Sequence, residues 1–343
     1  MRIGLLTGGG DCPGLNAVIR AIVRKGVDTY DDEFMGIRHG WAGLIENIMA
    51  PLGKDQISGI LPRGGTILGT SRTNPYKVQE GVKKILNTMK TQTLDALIAI
   101  GGEDTLGVAN KLHKEGMSVV GVPKTIDNDL SGTDYTFGFD TATQIVTEAI
   151  DRLHTTAESH NRVMVVEVMG RHSGWIATVG GIAGGADCIL IPEIPFSIDE
   201  LVELIKKRQA RGRAYTIIVV AEGAKPKEQD AFMTQDQSLD AFGHVRLGGI
   251  GEFLAKVIEE KTGAETRMTN LGHVQRGGTP TAYDRVLGTR YGIRAIDMVH
   301  EGKFGRMAAL QGSRIVDIPL ADAVGALKTV DMDLYDVARV FFG

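Results

Sequence analysis

Residues 95–129 read DALIAIGGEDTLGVANKLHKEGMSVVGVPKTIDND, and this stretch decides the fold class. Asp95–Ile100 is an apolar run of strand length. A turn through Gly101-Gly102-Glu103-Asp104 follows, and a helical pattern then runs from about Thr105 to Glu115 and stops at Gly116. Ser118–Val122 is the next strand, and it opens into Pro123-Lys124-Thr125-Ile126-Asp127-Asn128-Asp129. A strand, a helix and a second strand in so few residues predict an α/β fold whose parallel strands are covered by helices.

The unit recurs on both sides. Ile3–Leu6 reads as a strand leading into Gly8-Gly9-Gly10-Asp11-Cys12-Pro13-Gly14, then a helix over Asn16–Tyr30. The helix from Thr141 to about Thr155 places Ala142, Ile145, Val146, Ala149, Ile150 and Leu153 on one face, at the 3.6-residue period. Val163–Val168 leads into Met169-Gly170-Arg171-His172-Ser173-Gly174, and Tyr215–Val220 into Ala221-Glu222-Gly223. Ser197 with Glu200 forms a capping box before Leu201–Gln209, and Gly212 lies past its end. Five glycine-rich loops thus follow five strands. Ligands of open parallel sheets bind at the carboxyl ends of strands, so the loops predict one cleft between two lobes. Residues 225–249 are polar without a clear period and read as a surface excursion or insertion.

Composition narrows the class of protein. Of 343 residues, 43% are apolar and 23% charged, as in a soluble globular protein. The 38 basic residues stand against 42 acidic ones, a net charge of −4, so no basic excess points to nucleic acid or an anionic membrane. No apolar run approaches a membrane span, and the N-terminus turns glycine-rich too early for a signal-peptide core. The only cysteines, Cys12 and Cys188, suggest no disulfide framework, and a cytoplasmic location is expected.

Each loop admits two readings. Gly8–Gly14 is either a tight strand-to-helix turn or a cradle whose backbone N–H groups hold a phosphate. It matches neither the dinucleotide fingerprint nor the P-loop pattern. Glu103 and Asp104 either complement a helix dipole or hold Mg beside a phosphate. Asp127 and Asp129, two residues apart beside Lys124 and Thr125, favour a general base with a metal or substrate ligand over a plain turn. Arg267, His273 and Arg276 sit among glycines, a poor composition for a helix face and a good one for phosphate.

Taken together, Gly8–Gly14, Arg63-Gly64-Gly65-Thr66, Gly101–Thr105, Pro123–Asp129, Met169-Gly170-Arg171 and Leu271–Gly278 resemble the signature segments of 6-phosphofructokinases, in family order. The resemblance implies the phosphofructokinase fold, two Rossmann-like lobes, with residues 1–138 and about 275–310 binding the phosphoryl donor. Residues 139–274 and about 311–343 would bind the sugar phosphate. It implies a homodimer or homotetramer that phosphorylates the 1-hydroxyl of fructose 6-phosphate.

By resemblance, Asp127 is the base, and Arg171, Thr125 and Lys124 assist the transfer. Glu103 and Asp129 hold Mg, with Glu103 standing where the family commonly has Asp. Gly9, Gly10, Arg72, Gly102, Asp104 and Lys124 bind the donor. Thr125, Asp127, Asp129, Met169, Gly170, Arg171 and Glu222 line the sugar. Arg162, Arg267, His273 and Arg276 clamp its 6-phosphate, with Arg162 and Arg267 reaching in from a neighbouring subunit.

The donor implied is pyrophosphate. ATP-dependent bacterial members usually carry glycine where this chain has Asp104, and often where it has Lys124. They often place an aromatic residue and a further arginine where Thr73 and Lys77 stand. Two unit charges about 4 Å apart interact by roughly 4 kcal/mol at an effective dielectric of 20. Half of that is more than about tenfold in affinity, so Asp104 should repel the α-phosphate of ATP. Lys124 supplies positive charge to a compact pyrophosphate. Arg20 and Arg24 resemble effector-site arginines, but His154 and Asp187 replace residues common there, and weak or no nucleotide control is expected. An ATP-dependent enzyme and a non-catalytic sugar-phosphate-binding subunit are the competing readings. Asp104 opposes the first, and the retained Asp127 and Glu103 oppose the second.

Overall fold

The computed structural model describes residues 1–227, 234–236, 241–243 and 246–343. The first lobe runs through β1 (Arg2–Thr7), α1 (Leu15–Tyr30), β2 (Glu33–Ile37), α2 (Trp41–Glu46), β3 (Met49–Pro51), α3 (Gly81–Thr91), β4 (Ala96–Gly101), α4 (Glu103–Lys114) and β5 (Val119–Pro123). The second holds α5 (Phe139–His160), β6 (Val163–Val168), α6 (Trp175–Ala183), β7 (Cys188–Leu190), α7 (Ile198–Ala210) and β8 (Thr216–Ala221). The short β9 (Thr234–Asp236) and β10 (Arg246–Leu247) pair with each other, and α8 (Ile250–Thr262) and β11 (Thr266–Asn270) complete the lobe. Much of the segment expected as a polar excursion lies outside the described residues. The chain then passes through α9 (Ala282–His300), β12 (Arg306–Gln311), β13 (Arg314–Pro319), α10 (Leu320–Ala323) and α11 (Met332–Arg339).

Seven strands form the large sheet in the order β13-β12-β5-β4-β1-β2-β3, parallel except for the edge strands β13 and β3. Every residue of β4 and β5 is buried, as expected where helices cover both faces. The second sheet, β11-β6-β8-β7, is wholly parallel. One apolar core runs through both sheets: Ile3, Ile98 and Val120 of the first and Val166, Ile217 and Val219 of the second join through Phe139, Val146 and Ile150 of α5. Ser197 caps α7 by accepting the Glu200 N–H, as its capping box predicted.

One boundary differs from expectation. Residues 311–319 do not return to the second lobe, because β13 pairs antiparallel along the whole length of β12 and so belongs to the large sheet. Only after α10 does the chain cross over to α11. No helix among the described residues is long and apolar enough to cross a membrane.

The sheet order locates the site. From β1 the chain moves one way to β2 and the other way to β4, so the crevice lies between the carboxyl ends of β1 and β4. In the second sheet, β6 lies between β8 and β11 in the same manner.

Candidate active site

The loops after β1, β4 and β5 are locked together by glycines. A Cβ at Gly8 would fall 2.6 Å from Thr105 Oγ1, and one at Gly101 only 2.3 Å from Thr105 Cβ. Thr105, buried in the first turn of α4, therefore packs directly against both loops. Gly9 sits at φ 77°, in the left-handed region that favours glycine. Its carbonyl accepts from Thr70 Oγ1 at 2.5 Å and its N–H donates to Ser71 O at 3.2 Å. This anchors the segment carrying Arg72 beside the Gly8-Gly9-Gly10 loop. The Asn16 side chain donates to Arg63 O at 3.0 Å and accepts from Ile67 N at 2.9 Å, which secures the Arg63–Thr66 loop.

Lys124 is 4% exposed and donates through Nζ to Gly10 O, while its own N–H donates to Gly101 O at 2.9 Å. Burial holds its amine below the usual lysine range. The nearby Cys12, Asp127 and Asp11 act in the opposite sense. Helix α4 opens with Glu103 and Asp104 in its first turn, two residues earlier than its sequence pattern predicted.

Asp127 is 6% exposed, and its Oδ1 has no hydrogen-bond partner in the protein. Its N–H donates to Thr125 Oγ1 at 3.0 Å, so Thr125 shapes the turn. Asn128 holds a left-handed φ of 52°, and its Oδ1 accepts from Thr136 N at 3.0 Å. The chain thus turns between Asp127 and Asp129, and both acids line the same cleft. Burial, then the Asp127 carboxylate, push the Asp129 carboxyl well above its ordinary range.

From the second lobe, Gly170 and Arg171 both have positive φ, 143° and 51°. A Cβ at Gly170 would fall 2.4 Å from Ser173 O. Left-handed backbone is uncommon for a non-glycine residue, and here several contacts fix it. The Arg171 N–H donates to Glu222 Oε1 at 3.1 Å, and Gly223 lies so close that a Cβ there would fall 1.9 Å from Arg171 O. Burial foremost, with Asp127 adding to it, pushes Glu222 up to about 7. Ser173 Oγ donates to Asp127 O at 3.5 Å and joins the lobes at the site.

The result is a cleft open to solvent between the two lobes. Gly9, Gly10, Asp11, Gly102, Glu103, Asp104, Lys124 and Arg276 line it together with Thr125, Asp127, Asp129 and Arg171. Asp11 was not singled out in the sequence, since it reads as part of a glycine turn.

The expected 6-phosphate clamp is not assembled in one chain. Arg276 points to the donor side: a Cβ at Gly10 would fall 2.9 Å from its Nη1, so the bare glycine makes room for the guanidinium. His273, on the same 3-10 turn, is exposed. Arg162 and Arg267 lie elsewhere, both paired with Glu265 at 2.7 and 2.5 Å. They sit at the amino ends of β6 and β11, whereas Met169 and Gly170 follow the carboxyl end of β6. Six strand residues separate the two ends, roughly 20 Å. Gln275, which the sequence reading missed, is fully buried; it accepts the Met169 N–H at 3.3 Å and donates to Gly272 O at 3.0 Å. At the effector-like positions, Arg24 pairs with Asp28, Asp187 with Arg208, and His154 Nε2 lies 2.7 Å from Gly184 O.

The phosphofructokinase family model matches residues 2–299. The chain belongs to the phosphofructokinase family. It is 60% identical over 344 residues to the pyrophosphate--fructose 6-phosphate 1-phosphotransferase of Streptomyces coelicolor, covering all of both chains. It is 54% identical over 344 residues, again covering all of both, to the ATP-dependent 6-phosphofructokinase of Mycobacterium tuberculosis. Its fold matches a pyrophosphate-dependent phosphofructokinase structure from Nitrosospira multiformis with a TM-score of 0.85 at 19% identity, covering 99% of this chain and 90% of the other. The two parallel-sheet lobes are thus those of a phosphofructokinase, and the cleft between them lies where the family's signature segments meet.

Proposed function

We propose that the protein reversibly transfers a phosphoryl group from pyrophosphate to the 1-hydroxyl of fructose 6-phosphate, giving fructose 1,6-bisphosphate and phosphate. The observation that carries this reading is the donor wall of the cleft. Asp104 stands in the first turn of α4, and the buried Lys124 ammonium lies against the Gly9-Gly10 loop. An acid beside the metal-site glutamate opposes a third phosphate, and a buried cation favours a compact, highly charged anion. The name of the Streptomyces relative supports the same donor.

Within this reading Asp127 accepts the proton of the attacking hydroxyl. Its unpartnered buried oxygen is available for that proton. Arg171 offers charge to the moving phosphoryl group, and Lys124, Gly9 and Gly10 position the donor. Glu222 fixes the Arg171 backbone while it lines the sugar with Met169 and Gly170. Glu103 and Asp129 supply the hard oxygen ligands that Mg prefers. No cage of three ligating side chains exists among the described residues, which suits an ion held by one or two carboxylates plus substrate phosphates. Bound there, Mg would neutralise charge on the pyrophosphate oxygens. His273 and Arg276 are the clamp residues this chain itself offers to the sugar phosphate. Arg162 and Arg267 serve the cleft of a neighbouring subunit in a homodimer or homotetramer, because their strand ends face away from their own. A cytoplasmic location suits an enzyme acting on free sugar phosphates.

The test is turnover of fructose 6-phosphate with Mg and either pyrophosphate or ATP. Rapid reaction with pyrophosphate and none with ATP is expected. Robust turnover with ATP alone would overturn the donor assignment, and no turnover with either would overturn the sugar kinase.

A further inference from the structure

The chain between α10 and α11 crosses from one lobe to the other, and on the way it grips both catalytic loops. On the first lobe, the Lys328 N–H donates to Asp129 O at 2.9 Å and Ser131 Oγ donates to Ala326 O at 2.8 Å. Leu130 and Leu327 form an antiparallel bridge. The Lys328 ammonium adds bonds to Thr133 O at 2.9 Å and Asp134 O at 2.6 Å. These contacts clamp the residues that directly follow Asp127.

On the second lobe the same residue meets Trp175. The indole N–H donates to Lys328 O at 3.2 Å, and Lys328 Nζ lies 4.8 Å from the ring centre. Two residues on, the Val330 N–H donates to Glu193 Oε1 at 3.0 Å, and that oxygen also accepts the Gly174 N–H at 3.0 Å. Gly174 and Trp175 start α6 immediately after the Arg171 loop. Lys328 therefore touches, through main chain and side chain, the supports of both groups that must face each other across the transferred phosphoryl.

We infer that Lys328 is a positioning residue, and that residues 326–330 act as a strap setting the spacing between Asp127 and Arg171. The inference rests on the reaction proposed above. A half-buried ammonium bound to neutral carbonyls is a costly choice for a mere filler, and the Asp134 and Asp129 carboxylates face it. Its three donors and its charge over an aromatic face join two lobes at one point, which an apolar side chain could not do. Phosphoryl transfer depends on placement, and about 1 Å of misplacement costs on the order of a hundredfold in rate.

The test compares Lys328→Met, Lys328→Arg and Trp175→Phe in the full chain. Lys328→Met should lower kcat by about tenfold or more while both KM values stay within about threefold, because binding groups are left in place. Lys328→Arg, which keeps charge and donors, should recover most of that loss. Amide hydrogen exchange over residues 127–134 should quicken in the Met variant without ligand. Trp175→Phe, which loses one bond, should show a smaller kcat loss of the same kind. It also carries the test should Lys328→Met not fold. Unchanged kcat in a folded Met or Phe variant, a loss confined to KM, or an Arg variant as impaired as Met would each overturn the strap. Absence of pyrophosphate-dependent turnover in the parent would instead fail the reaction assignment, and the exchange measurement would still decide the strap.

Discussion

At the scale of single residues, the proposed function rests the choice of donor on Asp104 and Lys124. Lys124 is buried beside Arg276, two cations that an anion would complete, and on this reading Asp104 sets how long that anion can be. Asp104→Gly combined with Lys124→Gly should raise ATP affinity by about tenfold or more, measured by equilibrium binding. If ATP binding stays absent, other contacts decide the donor and the charge argument fails. Glu222 gives a second prediction. Its folded pKa, about 7, lies above its ordinary 4.5, so the fold favours the protonated form. The stabilisation is fully present below about 4.5 and is lost as pH rises through 7. Glu222→Gln keeps an acceptor for the Arg171 N–H without the charge. The variant should gain on the parent in thermal stability, by on the order of 2 kcal/mol, as pH goes from 5 to 8. A difference that does not change with pH would show that Glu222 ionises without strain.

Elements show why the site is rigid. Helix α1 springs from the Gly8–Gly14 loop and packs along α9, and the contact depends on two glycines of α9. A Cβ at Gly292 would fall 2.7 Å from Val18 O, and one at Gly288 would fall 3.2 Å from Gly14 O. Gly292→Ala should cost about 1–3 kcal/mol in urea unfolding and raise the KM for pyrophosphate, because the shift reaches the donor loop. An unchanged unfolding midpoint would mean that the helices separate freely. The same packing explains what the sequence did and did not disclose. Strands β1, β4, β5, β6 and β8 are apolar runs buried on both faces, so their rhythm was legible. Helix α9 was not, because Gly288, Gly292, Tyr291 and Asp284 occupy its buried face and mask the apolar period. Strand β11, Thr-Arg-Met-Thr-Asn, is half-exposed and polar at a sheet edge, and it too gave no signal. The glycine-acid loops were readable as chemistry. Gln275, Lys328 and the donor-side placement of Arg276 were not, since each depends on which distant segment the fold brings alongside.

For the whole molecule, the proposed function draws the base, the donor wall and Arg171 from one chain, but its Arg162 and Arg267 pair with Glu265 at the far end of β6. If a neighbour's pair completes each cleft, damage to the base and damage to the arginines should complement each other when placed on different chains. Coexpressing an Asp127→Asn chain with an Arg162→Ala/Arg267→Ala chain tests this. In a hybrid dimer, the cleft holding an intact Asp127 receives intact arginines from its partner, whereas the other cleft lacks both. Random pairing makes half of the dimers hybrid, so roughly a quarter of parental activity should return at low fructose 6-phosphate. Each variant alone should stay far below that level: Asp127→Asn through kcat, by about a hundredfold or more, and the arginine pair through the KM for the sugar phosphate. Arginines that served their own chain would leave every cleft in the mixture defective, and coexpression would then return no activity.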